Sequence, residues 1–170
     1  MDGQPPVIIE PYNPDWPVRF EAERRLLLVT LSPWLIGSIE HVGSTAVPGL
    51  QAKPIIDIMA GVRDLASSIT AIEALKPLHY CYFDYKADVM HWFCKPNDLE
   101  RTHHLHLVPF GSRLWRDRLA FRDRLRSDAT LRAAYAALKI GLAARHAHDR
   151  EAYTEAKTEF VHRVLRQASI

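Results

Sequence analysis

The spacing of hydrophobic and polar positions changes twice along this chain, and each change marks a different kind of secondary structure. From about residue 15 to 31 apolar residues recur at helical spacing, and Pro17 suits the first turn of a helix. From about residue 39 to 110 most apolar residues stand in short runs separated by turn-forming residues, which is typical of strands. After Ser112 the helical spacing returns. The pattern therefore predicts a sheet between an N-terminal helix and a helical C-terminal third.

The individual elements follow from the same pattern. Strands are predicted at 39–42, 55–62, 79–85, 89–95 and 102–110, the last three forming an antiparallel meander. Further helices are predicted at 64–75, 113–126, 128–146 and 149–168. We therefore expect an α+β fold, in which a mixed β-sheet has flanking helices. A length of 170 residues suits a single domain over 1–170, with a sheet core at about 1–110 and a helical region at about 111–170.

Composition and charge argue against several classes of protein. The formal net charge is +2 and the isoelectric point is about 8.6, which is too mild to indicate nucleic-acid binding. No apolar run approaches the ~18 residues of a membrane-spanning helix, and no signal-peptide pattern opens the chain. We therefore expect a cytoplasmic protein that binds neither a membrane nor nucleic acid. Cys81 and Cys94 lack metal-binding spacing and are predicted to be buried thiols.

A single carboxylate interrupts the most apolar predicted strand. Asp57 lies inside the run IIDIMAGV, where it would be costly unless it is paired, hydrogen-bonded or bound to a cation. A turn containing Gly43, Ser44 and Thr45 precedes this strand, and such turns offer N–H groups and hydroxyls to a phosphate. Lys53 follows the turn and would complement the charge of a phosphate. The stretch predicts a site for a phosphorylated ligand, with Asp57 and Ser44 as its catalytic candidates.

Two histidines form a second group of candidates. His104 and His106 are two positions apart, so a strand directs both side chains to one face of the sheet. Together with Asp57 on another strand, they predict a site for a divalent Mg, Mn or Zn ion, and imidazole ligands favour the transition metals among these. The alternative is a pair of hydrogen-bonded, half-exposed histidines that bind no ion.

The helical region adds basic candidates. Arg122 and Lys139 are predicted to line a cleft with the sheet and to contact the ligand. Tyr135 precedes Lys139 by four positions, so stacking of these two side chains on a helix surface is the alternative. Lys157 has the same spacing from Tyr153, and we interpret it as part of a solvated helix face.

Several motifs, taken in order, resemble those of the GrpB family. The segment at 12–17 matches the family's YxPxWP, and the segment at 40–58 matches EHVGSTAVPGLxAKPIIDI. The motifs THHLHLV, FRDxLR, YxxLK and YxxxKxxFV follow, at 102–108, 121–126, 135–139 and 153–161. Because the similarity covers nearly the whole chain, the chain is identified as a member of this family.

The resemblance implies a fold of the nucleotidyltransferase superfamily. In that superfamily a Gly-Ser turn precedes a strand with two carboxylates two positions apart, a later strand carries a third, and together they hold two divalent cations. Gly43 and Ser44 match the turn, and Asp57 matches the first carboxylate. Met59 stands at the second position, and the later strand carries histidines instead. Similar domains occur fused to dephospho-CoA kinase, which implies a link to that enzyme.

Three functions are consistent with these residues. The leading hypothesis is a nucleotidyltransferase-like enzyme that binds a nucleoside triphosphate and a divalent metal and transfers a nucleotidyl or phosphoryl group to an acceptor. A catalytically silent module that binds a nucleotide or metabolite is the alternative that Met59 favours. A zinc-dependent hydrolase built on Asp57, His104 and His106 is the third. Convergence of these three side chains beside the Gly-Ser turn is the structural expectation.

Overall fold

The structure is a computed structural model that describes residues 5–167. The helices are α1 (Asp15–Thr30), α2 (Ala71–Leu75), α3 (Arg113–Ser127), α4 (Ala129–Arg145), α5 (Arg150–Ala156) and α6 (Thr158–Gln167). The strands are β1 (Leu35–Val42), β2 (Ile56–Val62), β3 (Cys81–Phe83), β4 (His91–Lys95) and β5 (His103–Pro109). A short 3-10 turn, Ser44–Ala46, follows β1.

The five strands form one mixed sheet in the order β1-β2-β5-β4-β3. The interior strands β2 and β5 are parallel to each other, and the other neighbouring pairs are antiparallel. The last three strands therefore form the predicted meander. Interior strands are covered on both faces, which explains why β2 is a nearly continuous apolar run and why most of β5 is buried. With the helices that flank this sheet and follow it, the predicted α+β fold is confirmed.

One face of the sheet carries the main apolar core. Helices α1 and α2 pack on this face, and burying their apolar sides is the main gain that holds them there. The core includes Trp16, Leu27, Leu31, Ile56, Ile58, Leu75, Phe93, Leu105 and Leu107. Because side chains alternate along a strand, the neighbouring positions of β2 and β5 point to the opposite face. Asp57, His104 and His106 lie among those positions.

The opposite face is partly covered by α3. A second apolar cluster forms there from Val42, Met59, Met90, Trp92, Cys94, Val108 and Trp115. The turn after β1 and the C-terminal helices build a third cluster, in which Val47 and Leu50 contact Tyr135 and Phe160. The N-terminal segment adds only one β-bridge, between Glu10 and Ala52. The metal-site candidates therefore lie beside helices that come from the C-terminal third.

Two predicted helices differ from the structure. The helix expected at 64–75 is confined to Ala71–Leu75, because Asp64 accepts a hydrogen bond from Ser67 N (2.7 Å) and its carbonyl accepts one from the Ser68 hydroxyl (2.8 Å). These local bonds hold the first half of the segment in turns. The helix expected at 149–168 is interrupted at Lys157, whose N–H bonds Thr154 O at 3.3 Å.

The two cysteines lie opposite each other on β3 and β4, and both are free thiols. Cys94 is buried, and burial raises the pKa of its thiol to about 11, whereas Cys81 is only half-buried. The prediction of buried thiols therefore applies fully to Cys94. Within residues 5–167, no helix combines the length and the apolar character that crossing a bilayer requires.

Candidate functional site

Parallel pairing of β2 with β5 brings the predicted metal ligands together. In this register Asp57 lies opposite His104, and Met59 lies opposite His106. Nδ1 of His104 is 3.0 Å from Oδ1 of Asp57, and Nε2 of His106 is 3.6 Å from the same oxygen. One nitrogen from each histidine and one carboxylate oxygen all lie within 4.8 Å of one another. The structure therefore places all three side chains in one cluster, as the sequence predicted.

The cluster combines an ionised carboxylate with neutral imidazoles. Burial raises the pKa of Asp57, but hydrogen bonds and charge interactions with His104 and His106 outweigh that effect and hold it well below its usual value. Burial lowers the pKa of His104, against the attraction of Asp57. Burial and the positive charge of Arg118 lower the pKa of His106 to about 3. Neutral imidazole and carboxylate are the forms that bind metal ions.

Two buried nitrogen atoms of the cluster lack a hydrogen-bond partner among the described residues. They are Nε2 of His104 and Nε2 of His106, although the latter lies 3.6 Å from Oδ1 of Asp57, just beyond hydrogen-bond distance. When His104 donates its Nδ1–H to Asp57, its Nε2 keeps a lone pair, and a buried lone pair without a partner is unusual. A divalent ion would use such lone pairs, so the donor set of two imidazoles and a carboxylate fits a transition metal such as Zn or Mn.

The Gly-Ser turn lies directly against the carboxylate. Gly43 has φ +72°, and a Cβ atom at this position would lie 2.5 Å from Oδ2 of Asp57. The hydroxyl of Ser44 lies near Tyr135 on α4; burial raises the pKa of that tyrosine, and Ser44 lowers it by a smaller amount. The two predicted turn residues therefore border Asp57 on one side and α4 on the other.

Thr45 occupies a different position from its two neighbours. It is buried, and its hydroxyl donates to the carbonyl of Ile55 (3.1 Å) and lies 3.0 Å from Nε2 of His41. The structure therefore engages Thr45 in holding the turn against the start of β2, and does not bring its hydroxyl to the open side of Asp57.

The predicted lysines lie together with one that was not predicted. The ammonium of Lys53 is 5.0 Å from the ring centre of Tyr153, and that of Lys157 is 4.3 Å from the same centre. Lys139 lies 4.9 Å from the ring centre of Tyr135 and donates to the carbonyl of Gln51. Burial, and then the positive charges of Lys157 and Lys53, lower the pKa of Lys139 to about 7. We call Lys53, Lys139 and Lys157 the lysine cluster.

Arg122 is engaged in ion pairs. Its guanidinium lies 2.7 Å from Oε2 of Glu40 and 2.8 Å from Oδ1 of Asp123, and it also donates to the carbonyl of His41 at 3.1 Å. These contacts tie α3 to β1. One turn earlier on the same helix, Arg118 has no carboxylate within ion-pair distance among residues 5–167. Burial lowers the pKa of the Arg118 guanidinium, and the negative charge of Asp57 opposes this effect only in part.

A surface groove of about 280 Å³ borders Lys53, but its arginines are engaged. Arg150 donates to the carbonyls of Asp98 (2.8 Å) and Leu99 (3.1 Å), and Arg101 pairs with the Asp98 carboxylate. The uncompensated positive charge near Asp57 therefore comes from the lysine cluster and Arg118.

Sequence reasoning missed Lys157 and Arg118. Lys157 was interpreted as part of a solvated helix face, but in the structure its ammonium lies over the ring of Tyr153 at the interruption between α5 and α6. Composition gave no reason to select Arg118, because its helix contains five other arginines: Arg113, Arg116, Arg122, Arg124 and Arg126. The i, i+4 spacing of Tyr153 and Lys157 was the one usable signal.

Met59 fills the position where the nucleotidyltransferase fold expected from the sequence would have its second carboxylate. It is fully buried in the second apolar cluster, opposite Glu40 on β1 and His106 on β5. A thioether in this place packs against Val108 and its neighbours and offers no oxygen to a second cation. The three-residue cluster centred on Asp57 therefore has ligands for one ion.

Similar proteins occur in several bacteria. A UPF0157 protein of Pseudomonas aeruginosa is 40% identical over 163 residues, which cover 93% of this chain and 66% of that protein. A protein named glutamate-rich protein GrpB, from Alkalihalophilus pseudofirmus, is 34% identical over 166 residues and 95% of each chain. The chain thus spans just under two thirds of the first relative and nearly all of the second.

A dephospho-CoA kinase of Mycolicibacterium paratuberculosis is a more distant relative. It is 29% identical over 189 residues, which cover 96% of this chain and 46% of that protein. The similarity agrees with the expected occurrence of such domains in dephospho-CoA kinases, although it is weaker than the similarity to the GrpB and UPF0157 proteins.

A solved structure and a family model agree with these relatives. The crystal structure of conserved protein GrpB from Enterococcus faecalis matches with a TM-score of 0.85 and 30% identity, over 95% of this chain and 96% of that one. The family model described as GrpB protein matches residues 6–167. The resemblance inferred from the motifs is therefore confirmed, and the chain belongs to the GrpB family.

Proposed function

We propose that this protein is a nucleotidyltransferase-like enzyme that binds a nucleoside triphosphate with one divalent transition-metal ion. The observation that carries the proposal is the convergence of Asp57, His104 and His106 beside the Gly43–Ser44 turn. The unpartnered Nε2 of His104 supports the metal, because it indicates a ligand that the described residues do not supply. Bound there, the ion would offset phosphate charge and polarise a phosphoryl oxygen.

The chain's own residues have separate tasks in this proposal. Asp57 holds His104 in one orientation through the 3.0 Å contact, and its side chain remains 29% exposed, so a ligand can reach it. Ser44 and Lys53 contact the phosphates of the nucleotide. Arg118 lies on the other side of the cluster, where an unpaired guanidinium can bind a phosphate or a leaving group.

The reaction would join the acceptor to phosphorus and release a phosphate product. A hydroxyl oxygen of the acceptor forms a bond to the α- or γ-phosphorus while the bond from that phosphorus to its bridging oxygen breaks. The electron pair leaves with pyrophosphate when a nucleotidyl group moves, or with nucleoside diphosphate when a phosphoryl group moves. The proton of the hydroxyl passes to solvent. Asp57 stays ionised throughout because its pKa is low.

Met59 favours a second candidate, a module that binds the same ligand without turnover. Its burial leaves the site without the second carboxylate on which two-metal transfer depends. Similarity to a dephospho-CoA kinase supports the idea that such a module works beside that activity. A zinc-dependent hydrolase would use the same Asp57, His104 and His106, and it differs from both in needing no triphosphate.

Isothermal titration calorimetry with a panel of nucleoside triphosphates, each with Mn, Zn or Mg, tests the proposal. We expect metal-dependent binding that Asp57→Ala and His104→Ala abolish, whereas His162→Ala, at an exposed histidine of α6, preserves it. Metal-dependent binding that survives Asp57→Ala would overturn the proposal. Labelled nucleotide then separates the candidates, since pyrophosphate or nucleoside diphosphate release indicates transfer and its absence indicates a silent module. A stoichiometric zinc content with no triphosphate binding would indicate the hydrolase.

A further inference from the structure

The lysine cluster gathers three side chains from separate parts of the chain. Lys53 lies between the turn and β2, Lys139 lies on α4, and Lys157 lies at the interruption between α5 and α6. Two of the ammonium groups contact the Tyr153 ring and the third contacts the Tyr135 ring. Attraction between a cation and an aromatic face holds such groups in place without neutralising them. The arrangement therefore concentrates positive charge rather than removing it.

The lysine cluster has no matching carboxylates in the part of the chain that the structure describes. None of its members has an Asp or Glu oxygen within 4.0 Å there, and Lys139 is only 1% exposed. Asp57 acts on all three lysines electrostatically, but its Oδ1 is shared by His104 and His106. Lys139 is buried and Lys53 and Lys157 are half-buried. Cations removed from water are normally paired, so three of them beside a single engaged carboxylate indicate an anion that the described residues do not provide.

We infer that Lys53, Lys139 and Lys157 form a subsite for a chain of linked phosphates. A lone carboxylate ligand brings one negative charge, whereas each phosphate of a chain brings at least one and several acceptor oxygens. Ser44 extends the subsite, because its hydroxyl meets Tyr135 next to Lys139. The inference rests on the proposed function for the rest of the ligand, but it does not require the metal.

Burial and neighbouring charges determine how readily the lysine cluster is protonated. Burial first, and then neighbouring positive charge, lowers the pKa of both Lys139 and Lys157 to about 7. The charged and titratable groups that face the cluster are Asp57, Tyr135, Tyr153, Arg101 and Arg150. At pH 8 both amines are mostly neutral in the free protein, so an anion that favours the ammonium form must be accompanied by protons.

Calorimetry with inorganic tripolyphosphate in EDTA at pH 8 tests this inference without metal or nucleoside. Titrations in Tris and in HEPES, whose ionisation enthalpies differ, give the number of protons taken up. We expect binding with uptake of roughly one to two protons at pH 8 and much less at pH 6, where the amines are already charged. Lys157→Met and Lys139→Met are each expected to weaken binding about tenfold or more.

Lys86→Met is the matched control, because Lys86 also lies over a tyrosine ring, 5.3 Å from the ring centre of Tyr85, but is exposed. It should bind tripolyphosphate like the parent protein. No binding in EDTA, binding without proton uptake, or equal binding by Lys157→Met would each overturn the inference. If Lys139→Met does not fold, the inference is tested by the affinity of Lys157→Met for tripolyphosphate and by the number of protons that this variant takes up on binding. Tripolyphosphate binding by the parent protein, without any metal-dependent binding of a nucleoside triphosphate, would refute the proposed function and leave this subsite standing.

Discussion

A Cβ atom on Gly43 would come within 2.5 Å of Oδ2 of Asp57, so the turn approaches the carboxylate this closely only because residue 43 lacks a side chain. The backbone of Gly43 also has φ +72°, which other residues adopt at a cost. Two independent requirements thus coincide at one position. The first concerns the local conformation of the turn, and the second concerns access to Asp57.

Gly43→Ala should therefore lose more stability than a positive φ alone explains, and should lose metal binding as well. Gly111→Ala is the control, since Gly111 has φ +74° with nothing within 4 Å of its added Cβ. We expect Gly111→Ala to lower the free energy of unfolding by about 1 kcal/mol and Gly43→Ala by roughly twice that or more. Urea denaturation and metal titration measure both effects. Equal losses with unchanged metal affinity would mean that the contact with Asp57 has no consequence.

Arg118 and Arg122, one turn apart on α3, should respond differently to substitution. Arg122→Gln breaks half-buried ion pairs with Glu40 and Asp123 and should lower the free energy of unfolding by about 2 kcal/mol. Arg118→Gln breaks no ion pair among the described residues, so it should change stability by less than about 1 kcal/mol while weakening triphosphate binding about tenfold. Chemical denaturation and calorimetry on both variants check this. The reverse pattern would restore Arg122 as the ligand contact expected from the sequence.

Met59→Glu tests whether the superfamily's second carboxylate can be accommodated. Because Met59 is fully buried against Val108 and Trp115, we expect this change to lower the free energy of unfolding by several kcal/mol, on the order of 3. Met59→Leu keeps the volume and should cost about 1 kcal/mol or less. Thermal unfolding of both variants, with and without Mn, makes the comparison. A stable Met59→Glu protein with metal-dependent product release would favour two-metal transfer and count against a silent module.

His41 should make stability depend on pH. It is buried, stacked on Phe20 and bonded to Thr45, and burial lowers its pKa to about 4. Between pH 6.5 and about pH 4, His41 is protonated in the unfolded chain but stays neutral in the folded protein. Stability is therefore complete above pH 6.5 and falls as the pH is lowered toward 4, by roughly 3 kcal/mol at most from this residue.

Unfolding free energies measured by urea at pH 7, 6, 5 and 4.5 show the slope. In His41→Asn the slope should be shallower, because one proton fewer is bound on unfolding. His148→Asn, at an exposed histidine, should leave the slope unchanged. Identical slopes for His41→Asn and the parent protein would show that His41 titrates normally in the folded state.

The centre of the candidate site could be predicted because it depends on local rules. Alternation along a strand places His104 and His106 on one face, and a carboxylate in an apolar strand needs a partner. Neither rule required knowledge of how the helices pack. The antiparallel meander was also predicted, whereas the strand order and the parallel pairing of β2 with β5 were not.

The rim of the site could not be predicted because it depends on tertiary packing. Choosing Arg118 over Arg122 requires knowing that Glu40 lies within reach of the latter. Selecting Lys157 requires knowing that one residue separates α5 from α6 and that the side chain then meets Tyr153. Helical periodicity runs through that residue without a break, so the pattern predicted one helix and a solvated lysine.

The parallel pairing of β2 with β5 also has a consequence for how the protein folds. Asp57 and His104 lie on neighbouring strands, yet residues 63–102 must form α2, β3 and β4 between them. Closing so long a connection is entropically slow compared with forming helices or hairpins. We therefore expect the ability to capture a metal ion to arise later in refolding than the helical signal, which stopped-flow circular dichroism and a fluorescent metal probe can time separately. A chain that stalls before this closure would look largely helical and bind nothing.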